Sequence, residues 1–296
     1  MSELHDAASL SSGKGHRDEN FPVASYLIAP RHRPVILAFY RFARVADDVA
    51  DHPDTDAAEK LHLLDEIRRT LLGETESAAE ALVLRRVLAD RQITNQHALD
   101  LLEAFRRDVT KLRYSDWDDL MEYCRHSAMP VGRFMLDVHG EATSTWPASD
   151  ALCAALQIIN HLQDCGKDYR ALDRVYIPLD ALETAGVDVD ELAADHASPA
   201  LKTVIVALAR RTAALLAQAK PFSGQIRDVR LALEVGVIQR LAEDLVRRLT
   251  RRDPLSERVH HRPTEALALA LAATVGFVAA RPRTRSARMS LASSHR

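Results

Sequence analysis

Turn-formers and aromatic residues are scarce in this chain. Its 296 residues include 10 glycines and 12 prolines, and aromatics make up only 5%. So few breakers cannot punctuate a sheet of many short strands, and the abundance of Ala, Leu and Arg favours helix. Cysteine is sparse too. Cys124, Cys153 and Cys165 have neither paired spacing nor a CxxC grouping, which argues against a disulfide framework and for reduced thiols in a cytoplasmic protein. Neither sign of charge is in large excess, and a formal net charge of −3 carries no nucleic-acid signature. The opening MSELHDAASLSSGKGHRDEN has no apolar signal region, and Ser12-Gly13-Lys14-Gly15 lacks the strand and spacing of a phosphate loop. The expected architecture is all-α. A polar, disordered 1–15 precedes a single helical domain over 16–280, and a basic, disordered 281–296 follows.

What the chain does have is two polar stripes in apolar helices. In VILAFYRFARVADDVADH after Pro34, apolar residues surround the helix, yet Tyr40, Arg44, Asp47 and Asp51 step by four, three and four along one face, with Asp48 beside them. In QIINHLQDCGKDY, Gln157, Asn160, Asp164 and Asp168 step by three, four and four, while Leu156, Ile158, Ile159 and Leu162 suit a core. Like charges one turn apart repel by roughly 0.2–0.5 kcal/mol on an exposed helix and by more where water is scarce. A pair kept in apolar surroundings therefore points to a bound cation, although D-x-x-x-D alone is weak and a solvated helix face is the plain alternative. Carboxylate and amide oxygens suit a hard divalent ion, magnesium first. Zinc is not indicated. The 13 histidines form neither HExxH nor a cysteine–histidine set, and His260-His261 reads as a surface pair.

Between the stripes, Pro130 and Gly132 interrupt WDDLMEYCRHSAMPVGRFMLDVHG, predicting a kink beside which Ser127, Ala128 and Gly132 leave space. Asp108 falls with Arg106, Arg107 and Lys111 on an ordinary amphipathic helix, and Arg247–Arg252 reads as a solvated helix end. TEALALALAATVGFVAA at 264–280 is at the lower edge of a membrane span, and five arginines follow it. A membrane-surface contact and a core helix with a disordered tail are both open readings. Two aspartate-rich faces across an apolar pocket are what a magnesium-held diphosphate with a hydrocarbon chain requires.

YRFARVADDVAD, YCRHSAMPVG and QIINHLQDCGKDYRALDRVYIP together resemble the signatures of the squalene/phytoene synthase family, the head-to-head prenyl synthases, from about Asn20 to Pro263. The resemblance implies an isoprenoid-synthase helical fold with a central cavity. It implies magnesium at Asp47, Asp48, Asp51, Asn160, Asp164 and Asp168. It also implies diphosphate contacts from Tyr40, Arg44, Gln157, Arg174 and Tyr176, and cavity aromatics Phe21 and Tyr123. ENFPVAS and YCRHSAMPVGR look most like the bacterial, hopanoid-linked branch. That implies presqualene diphosphate as substrate, with other prenyl diphosphates as alternatives, and squalene-pathway enzymes and the inner membrane face as possible partners. The chain departs from the family at Asp18-Glu19-Asn20, which replaces a serine–lysine pair, and at Met129, Gln163 and Lys167. These departures are expected to favour handling one diphosphate rather than two.

Overall fold

The computed structural model describes residues 28–280. Among the described residues the architecture is helical, as expected, and the only bridge between extended segments pairs Arg113 with Val175. Twelve α-helices follow one another: α1 Arg33–Asp51, α2 Ala57–Leu72, α3 Ala79–Arg91, α4 Gln96–Thr110, α5 Trp117–Ser127, α6 Met129–His139, α7 Trp146–Leu172, α8 Leu179–Thr184, α9 Pro199–Ala219, α10 Phe222–Gln225, α11 Val229–Leu249 and α12 Pro263–Ala280. Phe21 and the segments 1–15 and 281–296 lie outside the described residues.

The boundaries follow local chemistry. Prolines open α1, α6, α7 and α9, where a missing N–H costs nothing. Carboxylates of Asp56 and Asp116 accept the backbone N–H of Glu59 and Asp119, each at 2.9 Å, and so cap α2 and α5. The cap of α5 is thus Asp116 itself rather than Ser115. Glycines in the left-handed region, Gly73 (φ 87°) and Gly140 (φ 68°), end α2 and α6. The interruption expected at Pro130 is a full break. Helix α5 stops at Ser127, and Pro130 lies in the first turn of α6.

Two buried apolar clusters form the interior. One gathers α1 to α4 with Phe134 and Val138 of α6. The other centres on α7, which packs on α9, α6, α11 and α5. Gly132 lets α6 approach α7, because a Cβ there would lie 2.5 Å from both Ser149 Oγ and Cys153 Sγ. Between the clusters, α1, α4, α5, α6, α7 and α11 wall a cavity of about 580 Å³.

Helix α12 packs against α11 and, through Phe277, against the second cluster. No helix among the described residues is long and apolar enough to cross a membrane. Leu267, Leu271 and Val275 nevertheless stand 61%, 59% and 69% exposed. The docking of α12 corrects two sequence expectations. His260 and His261 are not a free surface pair: His261 lies 3.0 Å from Asp244, and His260 lies 3.7 Å from Asp164. Arg248 is not a solvated helix end, since it binds Asp244 at 2.7 Å and Glu265 of α12 at 2.9 Å. The reason is shared. The chain after α11 doubles back, so groups that look terminal in sequence are covered in space.

Burial would raise the Asp244 carboxyl, but hydrogen bonds from Arg247, Arg248 and His261 outweigh it and hold the group well below the usual carboxylate range. A depressed folded-state value means stabilisation that is present above the unfolded value, about 3.9, and lost as pH falls below it. Asp244→Asn is expected to lower the melting temperature at pH 7, with the gap to the parent protein closing below about pH 4. A constant gap across that range in thermal melts would contradict this account.

Candidate active site

The two polar stripes occupy the C-terminal halves of α1 and α7, and this sets the polarity of the cavity. Toward the start of α1 its wall is Ile36 and Phe39, and toward the end it is Tyr40, Arg44, Asp47 and Asp51. On α7 the wall runs from Leu152 and Leu156 through Gln157 and His161 to Asp168. Arg174, just after α7, donates to Asp51 Oδ1 at 2.6 Å and to the Ala50 carbonyl at 3.3 Å, which brings the two helix ends together. The negative end of a helix dipole is a poor place for aspartate. Both stripes sit there, so the need for a cation exceeds what the charges alone would create.

Asp47 shows that need. Its side chain keeps 34% exposure, facing the cavity rather than bulk water. Burial raises its carboxyl to about 7, the Asp51 charge adds to this, and Arg44 opposes it. Arg44 grips Asp47 and Asp48 at 2.7 Å each, so α1 offers a fixed guanidinium beside its carboxylates. Asp48 is buried and off the cavity wall, as are Asn160 and Asp164, which flank the Gln157–Asp168 face. Burial raises the Asp164 carboxyl, against the pull of His260. Among the described residues the Asp47, Asp51 and Asp168 oxygens do not converge as a trio on one ion position. Hard oxygen donors on separate walls suit ions shared between a helix and an oxygen-rich ligand.

Two cavity groups were not singled out from the sequence. Asp108 of α4, 7% exposed, accepts hydrogen bonds from the hydroxyls of Tyr123 and Tyr176 at 2.9 Å each. Arg174 Nε donates to its backbone carbonyl at 3.1 Å. Burial raises its carboxyl to about 6, against Arg174 and the two tyrosines. The signal was present: Leu101, Phe105 and Asp108 share a helix face and all line the cavity, but the neighbouring Arg106 and Arg107 masked it. His161, four residues past Gln157, stacks on Tyr176 with ring centroids 3.5 Å apart. Its Nε2 lies 3.0 Å from the Gln157 amide nitrogen, which can only donate. The ring therefore carries its proton on Nδ1, on the side of Asp168 Oδ2 at 4.0 Å. By contrast, Gln163 is buried on the opposite side of α7, Lys167 is exposed and Met129 is buried in the core; none of the three lines the cavity.

Removing the Asp108 carboxylate strands two buried hydroxyls. Asp108→Ala is expected to cost about 2–4 kcal/mol in urea denaturation, and Asp108→Asn, which keeps an acceptor, about half that. Equal stability of all three proteins would show that the tyrosines are held by packing alone.

The chain matches the squalene/phytoene synthase family model over residues 15–265. It is 61% identical to a hydroxysqualene synthase of Rhodopseudomonas palustris over 88% of this chain and 90% of that one. It is 55% identical to a hydroxysqualene synthase of Zymomonas mobilis over 92% of each. A crystal structure of a squalene synthase from Alicyclobacillus acidocaldarius superposes with a TM-score of 0.70 at 32% identity, covering 83% of this chain and 92% of that one. Sequence, fold and cavity agree, and the chain belongs to the squalene/phytoene synthase family.

Proposed function

We propose that the chain converts presqualene diphosphate and water into hydroxysqualene and diphosphate, and so acts as a carbon–oxygen lyase rather than a prenyltransferase. The observation that carries this reading is the division of the cavity into an acidic and cationic end and an apolar remainder. The identity to hydroxysqualene synthases supports it.

In this reading the diphosphate lies at the Asp47, Asp51 and Asp168 end and the two hydrocarbon arms lie along the apolar walls. Magnesium bound by these aspartates, with Asp48, Asn160 and Asp164 beside them, supplies positive charge to the leaving group. Arg44 and Arg174 carry fixed charge to the same place, and hydrogen bonds already made to Asp47 and Asp51 leave them little reorganisation to undergo. Gln157 and, from the undescribed N-terminal segment, Phe21 complete the substrate contacts. The carbon–oxygen bond breaks with its electron pair on the diphosphate oxygen. The cyclopropylcarbinyl cation then rearranges and is captured by a water oxygen, whose surplus proton leaves to the diphosphate or to solvent.

Tyr40, Tyr123 and Tyr176 line the reactive end. Burial pushes Tyr123 and Tyr176 well above the ordinary tyrosine range. They stay neutral phenols, with hydroxyls turned to Asp108 and ring faces able to stabilise a cation. Purified protein with presqualene diphosphate and magnesium, without a nicotinamide, is expected to release hydroxysqualene. Asp51→Ala and Asp168→Ala are each expected to lower kcat at least about 100-fold, and a chelator to abolish turnover. Inertness toward presqualene diphosphate, with coupling of farnesyl diphosphate instead, would make the chain a prenyltransferase.

The exposed Leu267, Leu271 and Val275, spaced one turn apart on α12, also support peripheral contact with an anionic bilayer. Replacing all three by serine is expected to reduce cosedimentation with anionic vesicles. Unchanged cosedimentation would remove α12 from that contact.

A further inference from the structure

A second cluster of ligand-type side chains lies at the other end of α1. His32 precedes α1, His139 is the last residue of α6 and Asp228 caps α11. One ring nitrogen from each histidine and one Asp228 oxygen all lie within 4.8 Å of one another. Asp47 is 15 residues further along α1, and a rise of about 1.5 Å per residue puts it about 22 Å away. The cluster is therefore separate from the acidic end of the cavity.

We propose that His32, His139 and Asp228 form a binding site for a borderline divalent cation of the zinc type, which ties together the ends of α1, α6 and α11. Each group is prepared for this. The Nδ1 of His139 lies 2.8 Å from the Met135 carbonyl. A carbonyl only accepts, so the proton is on Nδ1 and the lone pair on Nε2, which is how ligating histidines are commonly oriented. Asp228 Oδ1 accepts the backbone N–H of Arg230 and Leu231 at 2.9 and 3.1 Å, which fixes the carboxylate and leaves Oδ2 outside those bonds. His32 is only 6% exposed, and its buried Nδ1 has no hydrogen-bond partner. Its Nε2 accepts only from the exposed Arg31 side chain, at 2.9 Å, so either nitrogen becomes available once Arg31 turns to solvent. Burial, then the neighbouring His139, Arg31 and Arg91, keep His32 below the ordinary histidine range, favouring the neutral imidazole that ligates.

Two imidazoles and one carboxylate suit zinc, with water as a fourth ligand, and suit magnesium poorly. Ligand atoms around a tetrahedral ion stand about 3.4 Å apart, so small side-chain rotations close the site. The ion would be structural. All three helices also wall the cavity, and pinning their ends would stiffen the apolar part of that wall.

The test uses the full chain, freed of metal by a chelator and then held in excess magnesium to fill the acidic end. Zinc chloride titrated calorimetrically is expected to bind one ion per chain and to raise the melting temperature. Cobalt(II) in its place is expected to give a tetrahedral visible absorption band. His139→Gln, His32→Gln and Asp228→Asn are each expected to weaken zinc binding by about 100-fold, whereas Asp47→Asn leaves it unchanged. Zinc binding that survives both His139→Gln and Asp228→Asn, or that is lost in Asp47→Asn, would overturn the proposal. So would the absence of a one-to-one site, or an octahedral cobalt spectrum, in the parent protein. His139→Gln and Asp228→Asn alter partly exposed groups, so the test stands even where His32→Gln fails to fold.

Discussion

Arg174 holds the catalytic end of the molecule together. It sits just beyond α7, is 7% exposed, and reaches Asp51 and Ala50 at the end of α1 and the backbone of Asp108 on α4. A guanidinium buried this deeply is tolerable only if its donors are satisfied, and truncating one partner of such a set leaves an uncompensated charge. Asp108 extends the set to Tyr123 of α5 and to Tyr176. Pairing of Arg113 with Val175, together with a hydrogen bond from Val175 N to the Leu112 carbonyl at 2.9 Å, holds the segment after α7 against the end of α4. Arg174 and Tyr176, on either side of Val175, are thereby fixed. The site is rigid because backbone pairing and side-chain charge meet in the same few residues.

That rigidity suits the chemistry. A departing diphosphate must be met by positive charge that is already in place, because charge that reorganises during the reaction stabilises the transition state less. Arg44 is held by Asp47 and Asp48, and Arg174 by Asp51. The apolar remainder of the cavity excludes water that would otherwise screen these charges and quench the cation too early. The aspartates announce a cation, while the neutral tyrosines and the aligned guanidiniums shape what happens after ionisation.

The fold class and both acidic stripes were legible in the sequence because helical periodicity places Tyr40–Asp51 and Gln157–Asp168 on single faces whatever their surroundings. Periodicity does not say where a face points. Asn160 and Asp164 share a stripe with Gln157 and Asp168 yet lie off the cavity wall, because a helical stripe drifts around the axis over three turns. Gln163 and Lys167 drew attention as departures from a family pattern, but they project away from the pocket. Asp108 was hidden by two arginines beside it in sequence that point elsewhere in space. His161 was passed over because a lone histidine in an apolar helix is commonly a core residue. Only the stacking on Tyr176 and the contact with Gln157 mark it as part of the site.

Histidine spacing excluded a zinc motif, and that exclusion is valid only for ligands close in sequence. His32, His139 and Asp228 are separated by roughly a hundred residues each and meet because three helix ends do. A helix end is a natural place for such a meeting. Its cap residue is fixed by backbone hydrogen bonds, and its last side chain often bonds back to a carbonyl one turn earlier, so the remaining lone pairs are aimed before any ion arrives. Along α1 the two ends carry opposite chemistry. Asp47 and Asp51 gather charge at the dipole's negative end, where a cation is needed for catalysis. At the other end, His32 stays neutral, and an ion bound there would contribute stiffness rather than charge to the reaction.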